Sequence, residues 1–271
     1  MNDPQNISVL GCGWLGLELA KILIDNGHSV KGSTTSAHKL KNLEAIGITP
    51  FLIKLSEHKV YGQVKDFLSG STVLIINIPP GLRRNPKKNH IKEIKGLIST
   101  IASSGIQQLI FVSSTSVFED RINFPVIDHD TIPDSLTSSG QQLKAIEEYL
   151  MNQKEWETTI IRPGGLFGED RHPANQLSGR NNLQNPKAPI NLIHRRDLMA
   201  SILACIELRV YSTQLNVVYS YHPSKEDYYS SYCTHENLAL PSFSHKLPSK
   251  GKIIDSSKTE QLLNLKFSHR P

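Results

Sequence analysis

Apolar residues along the chain fall into short dense runs, separated by stretches in which they recur at helical spacing. The runs ISVL (7 to 10), FLIKL (51 to 55), TVLIINI (72 to 78), LIFV (109 to 112) and TTIIRP (158 to 163) have the length and density of strands buried on both faces. Residues 15 to 26, 87 to 104 and 139 to 152 have the amphipathic repeat of helices. Strand and helix patterns therefore alternate, which predicts a parallel sheet with helices on both faces. No internal repeat or low-complexity tract interrupts this order.

After Pro163 the pattern changes. GGLFGEDRHPANQLSGRNNLQNPKAP is rich in Gly, Asn and Pro and has little periodicity, so it reads as an excursion from the sheet. Regular structure resumes in INLIHRRDLMASILACIEL, an extended piece leading into a helix whose apolar face is Leu198, Ile202 and Cys205. A last strand, LNVVYS (215 to 220), follows. Ser224 with Asp227, and Ser257 with Glu260, have the spacing of capping boxes and predict two short helices near the C-terminal end.

The chain has 271 residues, 38% of them apolar, enough for one large core with a smaller appendage. No run of about 18 apolar residues could span a bilayer. The start, MNDPQN, lacks the basic and apolar regions of a secretory leader, so a cytoplasmic location with no membrane partner is expected. Cys12, Cys205 and Cys233 are widely spaced and odd in number, which suits neither a disulfide framework nor a metal site. The 30 basic against 25 acidic residues leave a net charge of +5, too small to predict a nucleic-acid partner. Arg83, Arg84, Lys87, Lys88, Lys92 and Lys95 do cluster, either as a solvated face or as a local anion site.

The sharpest motif is ISVL-GCGWLG-LELAKIL, with Gly11, Gly13 and Gly16 at Gly-x-Gly-x-x-Gly spacing between the first strand and first helix. The first glycine suits a tight turn, the second a close approach of backbone to pyrophosphate, and the third close packing of helix on strand. This predicts a Rossmann-type doubly wound sheet that binds a dinucleotide through Gly11, Gly13, Trp14, Leu15 and Gly16. The acid that usually holds the ribose 2′-hydroxyl of NAD about 20 residues later is missing. Its place in VKGSTTSAHKL falls to Ser33, beside Thr34 and Thr35, with Lys39 and Lys41 following. Hydroxyls and an ammonium suit a 2′-phosphate, so NADP is favoured and NAD stays open.

Together with SSTSVF (113 to 118), RPGGLFG (162 to 168) and INLIHRRD (190 to 197), the loop resembles the extended short-chain dehydrogenase/reductases. The chain is most similar to their compact atypical branch of NAD(P)-dependent epimerase/dehydratase-like proteins. The resemblance implies a dinucleotide-binding domain of residues 1–165 with 188–222, and a small substrate-binding cap of 166–187 with 223–271. It implies that Asn77, Ile78 and Pro79 lie along the cofactor and that Ser113, Arg162 and Pro163 border it. Ser114 would polarise a substrate oxygen beside the nicotinamide. The implied partner is a small molecule, sugar- or nucleotide-linked, and an anionic group would suit Arg83, Arg84, Arg171, His172 and Arg180. A monomer or homodimer is expected.

The family also carries Tyr-x-x-x-Lys on the helix after the serine motif, in which the Lys lowers the pKa of a Tyr general acid/base. Anchored on Glu147, the Tyr position is Ser139 and the Lys position Leu143; a one-residue slip gives Gly140 and Lys144. Neither register supplies the pair, and Tyr149 is too far along the helix to substitute. His194, Tyr219 and Tyr221 are weaker candidates for moving a proton. Cys12 reads as a loop filler or, less favourably, as an oxidation sensor. The sequence thus carries two expectations: an oxidoreductase or epimerase/dehydratase-like enzyme, or a catalytically degenerate NADP-binding redox sensor.

Overall fold

The structure is a computed structural model describing residues 3–82 and 85–271, so Arg83 and Arg84 lie outside the described residues. Its centre is a seven-stranded parallel sheet of β1 (Asn6–Leu10), β2 (Ser29–Thr34), β3 (Thr49–Leu52), β4 (Val73–Ile76), β5 (Gln108–Val112), β6 (Glu157–Pro163) and β7 (Thr213–Val217). The spatial order is β7-β6-β5-β4-β1-β2-β3. The order reverses at β1, which puts the switch point where β1 meets β4, with Ile7 paired to both Val30 and Val73. Ten helices accompany the sheet among the described residues: α1 (Trp14–Asp25), α2 (Leu40–Glu44), α3 (Val64–Leu68), α4 (His90–Lys95), α5 (Ile98–Ala102), α6 (Ser138–Met151), α7 (Ala174–Leu177), α8 (Arg195–Glu207), α9 (Lys225–His235) and α10 (Ser257–Leu262). None is long and apolar enough to cross a membrane. The alternating pattern read from the sequence and the Rossmann-type sheet are borne out.

The chain forms two compact units. Unit 1 comprises residues 1–113, 141–161 and 202–214. Its core is the central strands, with Ile7, Val9, Ile75, Ile76, Leu109, Ile110 and Ile160 fully excluded from water. Helix α1 buries Leu15, Leu19, Ala20 and Leu23 along one face. It stops at Gly27, whose φ of +87° lets the Gly27 amide donate to the Ile24 carbonyl and the His28 amide to the Leu23 carbonyl. That paired closure sets His28 at the entry to β2.

Two element boundaries differ from the sequence expectation. The helix expected over 87 to 104 is divided, because at Gly96 and Leu97 the ladder switches from i→i+4 to i→i+3, with Leu97 N–H donating to the Ile94 carbonyl. The run FLIKL leaves the sheet after Leu52: Lys54–Leu55 instead pairs antiparallel with Val60–Tyr61.

Unit 2 comprises residues 114–140, 162–201 and 215–271. Gly165–Phe167 pairs with Leu192–His194, and Val126–Ile127 with Ile253–Ile254. Ser224 caps α9 as expected, accepting from the Asp227 amide at 3.1 Å. The capping box expected at Ser257 and Glu260 does not form. Asp255 accepts from the Ser257 amide, and Glu260 is drawn instead to the Phe267 amide, 2.9 Å away in each case. The Ser257 amide, from which Glu260 would have accepted, is taken by the nearer Asp255 carboxylate, two residues upstream.

His172 sits in the aromatic core of unit 2, stacked on Tyr232 at 3.8 Å. Its Nδ1 accepts from the Ala174 amide, so Nε2 carries the proton and donates to the Tyr228 hydroxyl at 2.9 Å. Burial pushes its pKa from 6.5 down to about 4. An unfolded chain takes up this proton near pH 6.5, whereas the folded ring refuses it until about pH 4. The stability owed to the neutral ring is therefore complete above pH 6.5 and is lost as pH falls towards 4, by about 3 kcal/mol. Urea denaturation at pH 7 and pH 4.5 is expected to show that His172→Phe flattens this acid limb.

Candidate functional site

The glycine loop joins β1 to α1 at the carboxyl edge of the sheet in unit 1. Gly11 has φ +109°, and a Cβ on it would lie 2.6 Å from the Asn77 carbonyl oxygen. A Cβ on Gly16 would lie 2.2 Å from the Gly11 carbonyl oxygen, so α1 can pass the loop only without a side chain there. Gly13 differs from both: its φ is an ordinary −87° and a Cβ would meet nothing within 4 Å. Neither strain nor protein packing requires glycine at this position. Gly13 is also the N-cap of α1 and brings no side chain to it. The helix thus presents its positive end beside an open space, the arrangement that receives a pyrophosphate. Trp14 and Leu15 form the first turn, with Leu15 buried beneath it.

Strand β2 is tied to this loop by Ser33. Its hydroxyl accepts from the Gly11 amide at 2.9 Å, its carbonyl accepts from the Cys12 amide at 2.8 Å, and the residue is 2% exposed. Thr34 accepts from the Ser36 amide at 3.2 Å, while Thr35 and Lys39 are exposed. Cys12 is packed inward, with its Sγ 2.7 Å from where a Gly32 Cβ would stand. Burial pushes its thiol up to about 12, so it is an inert filler rather than a reactive thiolate.

Asn77, Ile78 and Pro79 follow β4, and the Asn77 amide group donates to the Gly11 carbonyl at 3.3 Å. Beyond them lies a group that the sequence reading missed. His90 is fully buried, with Nδ1 2.9 Å from Glu93, which also holds Lys88 at 2.8 Å. Gln142 of α6 grips the same segment, accepting from the His90 amide at 2.7 Å and donating to the Lys88 carbonyl at 3.1 Å. Burial holds the His90 pKa below its ordinary value against the pull of Glu93. Only its i,i+3 spacing from Glu93 on an expected helix could have singled it out.

Ser113 follows β5 and donates from Oγ to the buried Glu147 at 2.5 Å. Ser114, the next residue, caps the short turn Thr115–Val117, accepting from the Ser116 amide at 3.1 Å. Accepting uses a lone pair and leaves the Ser114 O–H available as a donor.

The expected catalytic helix carries no proton-transfer pair. Ser139 is half-buried, and Leu143 is 2% exposed, part of the core. The slipped register fails on space. A Cβ on Gly140 would lie 2.2 Å from the Ser135 hydroxyl oxygen and 2.3 Å from the Ser116 carbonyl, so no tyrosine fits there. Lys144 lies on the helix surface, 3.8 Å from Glu148.

In unit 2, Arg162 is 1% exposed with its guanidinium over the Phe118 ring, and Pro163 is buried at the end of β6. His194 stacks on His269 at 4.5 Å, and its Nδ1 accepts from the Arg196 amide. It serves as a structural group at the start of α8. Asp197, in the first turn of that helix, accepts from the amides of Ser268 and His269 at 3.3 and 3.0 Å. Tyr221 is covered by Arg270, 4.0 Å from the ring centre.

A family model described as NAD(P)H-binding matches residues 11–208. The chain belongs to this NAD(P)H-binding family. The curated relative YeeZ of Escherichia coli strain K12 is 27% identical over 267 residues, covering 98% of this chain and 96% of that protein. Among solved structures, MoeE5 in complex with UDP-glucose and NAD superposes with a TM-score of 0.79 at 14% identity, covering 98% and 94% of the two chains. The UDP-glucose 4-epimerase of Thermotoga maritima, solved with UDP-glucose, gives 0.77 at 16% identity over 98% and 94%. The likeness to the epimerases and short-chain dehydrogenase/reductases holds for the fold of this NAD(P)H-binding chain, as the ordered motifs imply.

Proposed function

We propose that the protein binds NADP(H) at the carboxyl edge of unit 1 and is an oxidoreductase or epimerase/dehydratase-like enzyme acting on a small, anionic, sugar- or nucleotide-linked molecule. The observation that carries this reading is the glycine loop: space is forbidden at Gly11 and Gly16 and left open at Gly13, in front of an uncapped helix start. A pyrophosphate suits that opening in charge. The first-turn amides of Trp14, Leu15 and Gly16 would hold it, and Asn77 to Pro79 with Ser113 would border the remainder of the cofactor. Bound there, the cofactor supplies hydride exchange.

The chain's own residues would orient the substrate and exclude water. Ser114 has a free O–H donor to offer a carbonyl or hydroxyl oxygen. Residues 166–187 with 223–271 would select the substrate. Preference for the 2′-phosphate rests on the absence of a carboxylate from Ser33 to Thr35 and on the exposure of Thr35 and Lys39. Calorimetry is expected to give NADPH about tenfold tighter binding than NADH, with the margin shrinking in Lys39→Ala. NADH binding tenfold more tightly would sink the assignment.

A second reading, cofactor binding without turnover, is favoured by one observation: Leu143 is a core residue and Gly140 admits no side chain. Oxidation of NADPH in the presence of UDP-sugars and small carbonyl compounds separates the two. Turnover lost in Ser114→Ala with NADPH affinity unchanged supports the enzyme; saturable NADPH binding with no turnover on any compound supports the sensor.

A further inference from the structure

Unit 1 has a second opening, at the edge of the sheet opposite the glycine loop. Thr72, Gln108 and Glu157 stand at the amino ends of β4, β5 and β6, and with the end of α8 they line a cleft of about 430 Å³. That volume lies within the range of small-molecule sites. Its separation from the glycine loop follows from the parallel sheet, since every strand runs from the cleft edge to the loop edge.

The cleft contains an unanswered hydrogen-bonding group. Gln108 is 2% exposed, yet neither its side-chain oxygen nor its side-chain nitrogen has a partner among the described residues. A buried carboxamide with both functions idle is rare and points to something that completes it. Nearby, His28 Nδ1 accepts from the Gln5 amide at 3.1 Å, which places the ring proton on Nε2. The lining is also charged against the grain of the protein. The described lining carries Asp3, Glu155, Glu157 and Glu207 against Lys154 and Arg209, in a chain whose net charge is +5.

We propose that this cleft is a binding site for a small amide-bearing amine, in which a carboxamide pairs with Gln108 and the positive charge faces the surrounding carboxylates. A planar carboxamide offers the adjacent donor and acceptor that Gln108 lacks. An acidic rim raises the local concentration of cations and disfavours carboxylates or phosphates. This site is independent of the dinucleotide reading.

Lysinamide and cadaverine test it directly, because cadaverine is lysinamide without the carboxamide. Trp156 lines the cleft and reports occupancy by its fluorescence. Lysinamide is expected to bind with a dissociation constant below about 1 mM, and cadaverine about tenfold more weakly. Gln108→Leu, which replaces an unsatisfied amide with an apolar group of similar length, should fold and should reduce lysinamide binding to the level of cadaverine. Glu157→Gln, at the exposed rim, should weaken both ligands together. NADPH binding should be unchanged in each variant. No lysinamide binding at 10 mM, or equal binding by wild type and Gln108→Leu, overturns the proposal and leaves water as the partner of Gln108.

Discussion

Replacing Gly13 by aspartate is expected to abolish cofactor binding while leaving the protein as stable as before. The φ of −87° at Gly13 is one any residue adopts, and a Cβ there meets no protein atom within 4 Å. An aspartate at an N-cap stabilises a helix slightly more than glycine does, by a few tenths of a kcal/mol. The same carboxylate would occupy the place proposed for the pyrophosphate and repel it, reducing NADPH affinity by about a hundredfold or more. Gly16→Ala should behave differently. Its Cβ would press to 2.2 Å from a backbone oxygen, so loss of binding should be accompanied by a loss of about 2–3 kcal/mol of stability. Calorimetry beside urea denaturation reads both quantities. Undiminished NADPH binding by Gly13→Asp would remove the phosphate site from this loop.

Gly140→Ala should cost about as much as Gly16→Ala without involving the dinucleotide loop. The new methyl would meet the Ser135 side chain and the Ser116 carbonyl at less than 2.5 Å. The turn before α6 would have to yield there, and the bond from the Gly140 amide to Thr137 Oγ1 would stretch beyond its present 3.1 Å. A penalty of about 2–3 kcal/mol corresponds to a fall in melting temperature of roughly 5–10 °C for a chain of this size. Thermal denaturation followed by circular dichroism measures it. A fall of less than about 2 °C would mean that α6 can shift outwards, and that a larger side chain at 140 is tolerable after all.

The sequence made the central sheet legible because strands buried on both faces must be almost wholly apolar, and TVLIINI or TTIIRP can hardly be anything else. The glycine loop was legible for a harder reason: two of its three glycines answer to contacts that no side chain survives. Boundaries were less visible. Gly96 lies in a good helical pattern, and only the backbone shows the ladder tightening there. Ser257 and Glu260 had the right spacing for a cap, but Asp255 and Phe267 were better partners for them. The grip of Gln142 on the His90 segment, and the isolation of Gln108, depend on which segments fold onto one another. No local pattern records that.

The bond between Ser33 and Gly11 bears on how such a protein could exchange one nicotinamide dinucleotide for the other. The obvious engineering step is to install at the end of β2 the acid that grips a ribose diol. At Ser33 that step would remove the hydroxyl that holds the first loop amide, and would put a carboxylate at a position 2% exposed. The Ser33 hydroxyl thus helps to shape the glycine loop, and an acid placed there would disturb it. Retargeting would have to enter through Thr35, on the exposed side, and a variant library confined to Ser33 would mostly recover damaged loops.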